Sequence, residues 1–245
     1  MAGTILFACR NPEGAGSIRE MPRARGDLNG WWRLGVAVMG PVWRLLFRLR
    51  VVGWERVPVS GPAIVAANHV SALDGILLSL ATAERPGRMT RFLVAAEFFA
   101  KPSIAWALRL YRQIPLTRGT GDRWALDEAV ETIRAGALAG IFPEGKVNPN
   151  PEAGLQRGRS GVARMALATR AAVVPVGIWG TQARWPKLGL SFRRPWRPRT
   201  VVAYGEPIVP EGDPAKLEDV QTLTDLVMGG IARQVARARA NVGSG

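Results

Sequence analysis

The chain is poor in the residues that most metal and redox chemistry requires. Its 245 residues include one cysteine, Cys9, and one histidine, His69. A lone cysteine excludes an intrachain disulfide framework and a cysteine-rich metal site, and it fits a reducing compartment. A lone histidine excludes His-based metal sites, which take two or more imidazoles. Imidazole chemistry, if present, belongs to His69. Acidic residues are also scarce, 19 against 33 basic ones, which leaves a formal net charge of +14. Long apolar runs are missing. In residues 31–54 the longest uncharged apolar stretch runs from Leu34 to Trp43, well short of the ~20 residues a bilayer-spanning helix needs. Met1–Gly30 is glycine-rich and mixed in polarity, without the apolar core of a secretory signal. It is expected to be a flexible extension, with Met21 as an alternative start.

What is present is a folded chain of single-domain size, 47% hydrophobic. Its charge predicts attraction to anionic surfaces, or a solvated arginine-rich face. Ala183–Arg199 concentrates it: Arg184, Lys187, Arg193, Arg194, Arg197 and Arg199 stand there without one acid, among Trp185, Phe192 and Trp196. That stretch reads as a headgroup or carrier-protein contact, or as a basic surface loop. No recognised nucleic-acid module accompanies it, and no nucleic-acid partner is expected. Residues 31–58 read as an amphipathic, membrane-associating segment. As a helix it gathers Arg33, Arg44 and Arg48 on a narrow arc amid Trp, Leu and Phe, the pattern of an interfacial helix or of a first helix packed on the protein's own core. Gly40 and Pro41 predict a kink there.

From residue 59 to 240 strands and helices alternate. Buried strands are predicted at Ala63–Ala67, Phe92–Ala95, Ile114–Thr117, Leu138–Phe142, Val173–Val176 and Val201–Tyr204. Helices are predicted at Gly75–Thr82, Ile104–Leu110, Trp124–Ala137, Ser160–Arg170 and Leu217–Arg239. In the third, Leu126, Val130, Ile133 and Ala137 recur on one face; in the last, Val220, Leu223, Val227 and Ile231 do. The alternation implies an α/β fold with a mainly parallel sheet flanked by helices. No internal repeat or domain break interrupts it.

Asn68-His69-Val-Ser-Ala-Leu-Asp74 follows a predicted buried strand and opens a helix, the place where α/β folds gather ligands. Residues five apart lie ~140° apart on a helix, so His69 is expected in the loop with Asp74 reaching back from the first turn. A neutral imidazole there can take a proton from an attacking alcohol, while the carboxylate holds the other ring nitrogen. Taken alone, the pair reads equally as a structural cap on a helix.

Three further segments follow in order: Gln113-Ile-Pro-Leu-Thr-Arg118-Gly119, Ile141-Phe-Pro-Glu144-Gly145-Lys146, and Val173-Val-Pro175-Val-Gly. Together with the His-x4-Asp segment they resemble the four-motif pattern of the 1-acylglycerol-3-phosphate acyltransferase family, over about Pro62–Tyr204. The resemblance implies a glycerolipid acyltransferase-like fold and a catalytic pair at His69 and Asp74. It implies an acceptor phosphate held by Arg118, an acceptor hydroxyl held by Glu144 with close backbone approach at Gly145, and a basic position at Arg159. Pro175 is expected to shape the end of the sheet. One wording departs: Lys146-Val147-Asn148 stands where the family commonly has Thr-Arg-Ser. Phosphate contacts are then expected from Arg118, Lys146 and Arg159. The Glu-Gly-Lys-Val-Asn wording resembles the tafazzin branch, whose members exchange acyl chains between phospholipids and lysophospholipids.

The activity so implied is acyl transfer from a thioester to the hydroxyl of a lysophospholipid, foremost 1-acylglycerol-3-phosphate, giving phosphatidic acid. Other lysolipid or glycolipid acceptors, and a non-catalytic basic membrane-binding protein, are the alternatives. No metal or bound cofactor is expected; acyl-coenzyme A or an acyl carrier protein is the co-substrate. The expected setting is peripheral, on an anionic surface at the cytoplasmic face of the cell membrane.

Overall fold

A computed structural model describes residues 28–116, 123–186, 189 and 196–243. Residues 1–27, Arg118 and the basic residues Lys187, Arg193 and Arg194 lie outside the described residues. Helix α1 (Gly30–Leu46) opens at Asn29, whose side-chain oxygen accepts from the Trp32 N–H at 3.0 Å, satisfying one of the donors a helix start leaves unpaired. Gly40 and Pro41, where a kink is predicted, lie inside one continuous helix. The chain then turns into β1 (Arg48–Val52). The predicted 31–58 segment is therefore two elements, a helix and a strand of the main sheet, and Arg48 leaves the helical arc. The reason is legible in Arg-Leu-Arg-Val-Val: the period-2 pattern exposes Arg48 and Arg50 and turns Leu49 and Val51 toward the core.

The remaining elements follow the predicted alternation: β2 (Ala63–Ala67), α2 (Asp74–Glu84), β3 (Thr90–Ala95), α3 (Pro102–Leu110), β4 (Ile114–Leu116), α4 (Arg123–Arg134), β5 (Leu138–Ile141), α5 (Gly161–Thr169), β6 (Ala172–Trp179), β7 (Arg199–Tyr204) and α6 (Leu217–Gly243). The seven strands form one sheet in the order β1-β7-β6-β2-β5-β3-β4. Every pairing is parallel except β6 with β7, so β1 and β7 run against the other five. Strand β2 is buried along its whole length, as expected of a parallel strand covered on both faces.

One face carries α4, α5 and α6. Ile133, Met165, Leu223, Val227 and Ile231 pack there on Ile64, Ala139 and Val173. The other carries α1 and α2, with Trp43, Phe47, Leu77 and Leu78 on Val65, Val176, Val202 and Tyr204. The faces predicted from spacing are those that are buried. Burying side chains of this size contributes roughly 1.5–3 kcal/mol each, and that force sets the two helical layers. Pro175 sits inside β6 rather than at the sheet's end, opposite Ala66 of β2. Its carbonyl accepts from Gly205 on the β7 side, so its missing N–H faces that side as well. Pairing there resumes only at Val173 with Ile208, one residue out of step. Such a bulge is where a strand tolerates proline.

Candidate active site

Strands β5, β2 and β6 are neighbours and run parallel, so their carboxyl ends meet. Each feeds one part of a single site. From β2 come Asn68 and His69. The Asn68 side chain donates to the Ile178 carbonyl at 2.9 Å and accepts from the Ile178 N–H at 2.7 Å, which locks the ends of β2 and β6 together. His69 lies in the loop, as predicted, and is partly exposed. Its Nδ1 is 3.0 Å from Asp74 Oδ2. Asp74 is the first residue of α2 and is fully buried.

The buried carboxylate is well supplied with donors. Oδ2 also accepts from the Val70 N–H at 2.6 Å and the Ser71 N–H at 2.8 Å. Oδ1 accepts from the Thr181 hydroxyl at 2.6 Å. These bonds hold an anion out of water with its lone pairs satisfied. Because a carboxylate only accepts, it selects the tautomer with hydrogen on Nδ1. Nε2 is left as the basic nitrogen.

From β5 comes the Phe142–Asn148 loop. The Phe142 ring stacks on the imidazole, with centroids 4.2 Å apart and planes within 13°. Phe92 stacks behind it at 5.2 Å. Glu144 is buried, and its two oxygens are taken by the protein itself. Oε1 accepts from the His69 N–H at 2.9 Å, and Oε2 from the backbone and side-chain N–H of Gln156 at 2.9 and 3.2 Å. Glu144 therefore faces inward and positions the peptide of His69. Asn148 completes that hold, its N–H donating to the His69 carbonyl at 2.7 Å while its side chain ties down Gly154 and Asn150.

Gly145 has φ +70°, in the left-handed region that favours glycine, and a Cβ there would stand 2.7 Å from Arg159 Nε. Arg159 and Lys146 are both exposed, and Arg159 crosses the glycine. The structure therefore brings His69, Asp74, Glu144, Gly145, Lys146 and Arg159 to one end of the sheet, and Arg118 lies outside the described residues. Thr181, Gln156 and Asn68 contribute contacts the sequence did not single out. Only Asn68, beside His69 at a strand end, carried a visible signal.

Fold and site together define an α/β protein whose single histidine is held by a buried carboxylate at the carboxyl end of the sheet. The family model described as "Acyltransferase" matches residues 48–179, more than half of the chain, and the chain belongs to that family. The match begins at β1 rather than at residue 59. Among solved structures, the 1-acyl-sn-glycerophosphate (LPA) acyltransferase of Thermotoga maritima is similar with a TM-score of 0.68 and 25% identity, over 85% of this chain and 80% of that one. An uncharacterised protein of Mycobacterium leprae is 36% identical over 151 residues, 58% of this chain and 39% of its own length. An N-acylphosphatidylethanolamine synthase of Arabidopsis thaliana is 30% identical over 167 residues, 62% of this chain and 57% of its own length. The chain thus spans about two fifths of the mycobacterial relative and under two thirds of the plant one.

Proposed function

We propose that this protein transfers an acyl chain from a thioester donor to the free hydroxyl of a lysophospholipid, foremost 1-acylglycerol-3-phosphate. The observation that carries the reading is the buried, four-donor Asp74 fixing His69, with Nε2 unbonded among the described residues. In the proposed step Nε2 takes the hydroxyl proton as the alkoxide oxygen bonds to the thioester carbonyl carbon. The tetrahedral oxyanion then collapses, the C–S bond breaks, and the imidazolium returns its proton to the thiolate. Asp74 stabilises the imidazolium between the two transfers. Arg118, Lys146 and Arg159 are the proposed phosphate ligands, because guanidinium and ammonium groups match that anion. The step balances with alcohol, thioester and imidazole alone, and so needs neither metal nor bound cofactor. Acyl-coenzyme A or an acyl carrier protein supplies the chain.

The proposed setting is the anionic surface at the cytoplasmic face of the cell membrane. No helix among the described residues is long and apolar enough to cross a membrane. Helix α1 instead exposes Trp31, Leu34, Val38, Val42 and Leu45 along one stripe, with Arg33 and Arg44 also exposed. Such a face supports lying in an interface with apolar groups below and cations at headgroups.

A second reading, transfer to another acceptor or from a phospholipid donor, is favoured by Lys146-Val147-Asn148 and by the plant relative's name. The deciding assay is acyl transfer by protein on anionic vesicles, wild type beside His69→Ala. Acyl-coenzyme A and labelled phosphatidylcholine serve as separate donors, with lysophosphatidic acid and phosphatidylethanolamine as separate acceptors. Thioester-dependent phosphatidic acid that disappears in the variant is expected. Product from phosphatidylcholine alone, or N-acylated lipid alone, would select the second reading. Equal activity in both proteins would remove His69 from the chemistry.

A further inference from the structure

A second concave feature lies apart from His69. An open cleft of about 600 Å³ runs between the end of α1, β1 and the start of β7. Arg44, Arg48, Arg50, Arg197 and Arg199 line it against one carboxylate, Glu84, which pairs with Arg44 at 2.8 Å. An adjoining cleft of about 400 Å³ shares Arg48, Arg197 and Arg199 and is walled by Trp196. Arg197 donates to the Arg44 carbonyl, and Arg199 to that of Val242. The side chains of Arg48 and Arg50 have no hydrogen bond or ion pair among the described residues. Arginines on an edge strand can serve merely to block pairing with another chain. That role accounts for Arg48 and Arg50 on β1, but not for Arg197, Arg199 and the indole converging on them from β7's approach.

Two of its arginines stand at the carboxyl end of the sheet, where His69 lies. Strand β7 runs antiparallel to β6, and Arg48 pairs in register with Arg199, so both arginines stand where β6 ends. Gly180 marks the junction. Its φ is +106°, and a Cβ there would lie 2.1 Å from the Arg199 carbonyl oxygen. The next residue, Thr181, holds Asp74. From β2 to β1 is three strand spacings, about 14 Å.

We propose that this cleft binds the 3′-phospho-ADP end of an acyl-coenzyme A donor, an inference that rests on the thioester reading above. Guanidiniums take the phosphates, in the pairing they suit best. Trp196 is 63% exposed, with the Arg184 guanidinium 5.6 Å from its centroid, and it offers indole surface on which adenine stacks. A pantetheine arm has the backbone length of about four peptide residues, or about 14 Å extended, comparable with that three-strand spacing. Several phosphates beside an aromatic plane match a nucleotide better than a lipid headgroup, which brings one phosphate and no ring.

The test measures calorimetric binding of coenzyme A and of 3′,5′-ADP to the full chain. Inorganic phosphate and phosphatidylglycerol vesicles are the competing anions. The variants are the double change Arg48→Glu, Arg50→Glu, and separately Trp196→Ala. Unchanged melting is expected for the double variant, whose native side chains hold no hydrogen bond or ion pair among the described residues. Its coenzyme A affinity should fall about tenfold or more, and KM for acyl-coenzyme A should rise by the same factor with kcat held. The rise should be confined to donors with the nucleotide, leaving acyl-pantetheine unaffected. Trp196→Ala should weaken 3′,5′-ADP and not phosphate. Coenzyme A binding equal in wild type and double variant overturns the proposal, as does loss of vesicle binding alone. Variant-sensitive coenzyme A binding without transfer from any thioester would defeat the donor reading and keep the cleft as a nucleotide site.

Discussion

Replacing Asp74 by asparagine separates what the carboxylate does by shape from what it does by charge. Oδ2 faces two backbone donors, the N–H of Val70 and of Ser71, as well as Nδ1 of His69. An NH2 group cannot face those amides, so the asparagine oxygen must take that position and its NH2 must turn to Thr181. The Thr181 hydroxyl, which donates to Oδ1 at 2.6 Å, then accepts instead. The ring keeps hydrogen on Nδ1 and a lone pair on Nε2. What disappears is the charge beside the imidazolium, the difference between a charge-assisted and a neutral hydrogen bond, about 1–2 kcal/mol. On that basis kcat falls about 5- to 30-fold. Where an aspartate's replacement forces an imidazole into the wrong tautomer, the loss is about 10⁴. The lone histidine makes the tautomer directly observable, because a protein labelled with ¹⁵N-histidine contains one imidazole. Protonated Nδ1 and bare Nε2 are expected in wild type and variant alike. A 10⁴ loss with the ring in the opposite tautomer would refute the reasoning, and an unchanged kcat would show that the charge is not used.

Glu144→Gln must place an NH2 against the N–H of His69 or of Gln156; a loss of about 1–3 kcal/mol in urea unfolding is expected, with kcat lowered, and full stability would disprove the inward orientation. Asn68→Ala removes both bonds to buried Ile178 and should cost about 2–4 kcal/mol, read in the same unfolding experiment. Tyr204→Phe goes the other way. Burial pushes the Tyr204 hydroxyl's pKa above its ordinary value, and the group has no hydrogen-bond partner among the described residues. Melting should be unchanged or raised, and a drop would reveal a partner. Changing Leu34, Val38 and Leu45 of α1 together to serine should abolish co-sedimentation with anionic vesicles at unchanged melting temperature; retained binding would move the contact elsewhere.

The alternation of strands and helices was legible because parallel strands here are short buried runs and the helices carry clean apolar faces, as at Leu126–Ile133 and Val220–Ile231. Strand β1 was missed, because its arginines extended the helical arc read from Arg33 and Arg44 and masked the period of two in Arg-Leu-Arg-Val-Val. At the site, His69 and Asp74 were readable from a five-residue spacing that no regular helix face satisfies. The inward contacts of Glu144 were not legible, for a physical reason. A Glu-Gly turn after a strand reads the same whether the carboxylate points outward to a ligand or inward to a backbone N–H, and burial decides between them. Thr181 lies 107 residues from Asp74, and no local pattern joins them.

The grip of Glu144 and Asn148 on the two sides of the His69 peptide gears recognition to reactivity. The loop that carries Lys146, a proposed phosphate ligand, is the same loop that sets the height and tilt of the proposed base. A substitution that reshapes this loop to admit a new acceptor therefore also moves Nε2, and its effect on affinity cannot be separated from its effect on rate. Retuning of the proposed acceptor without loss of speed has to come from residues outside this loop.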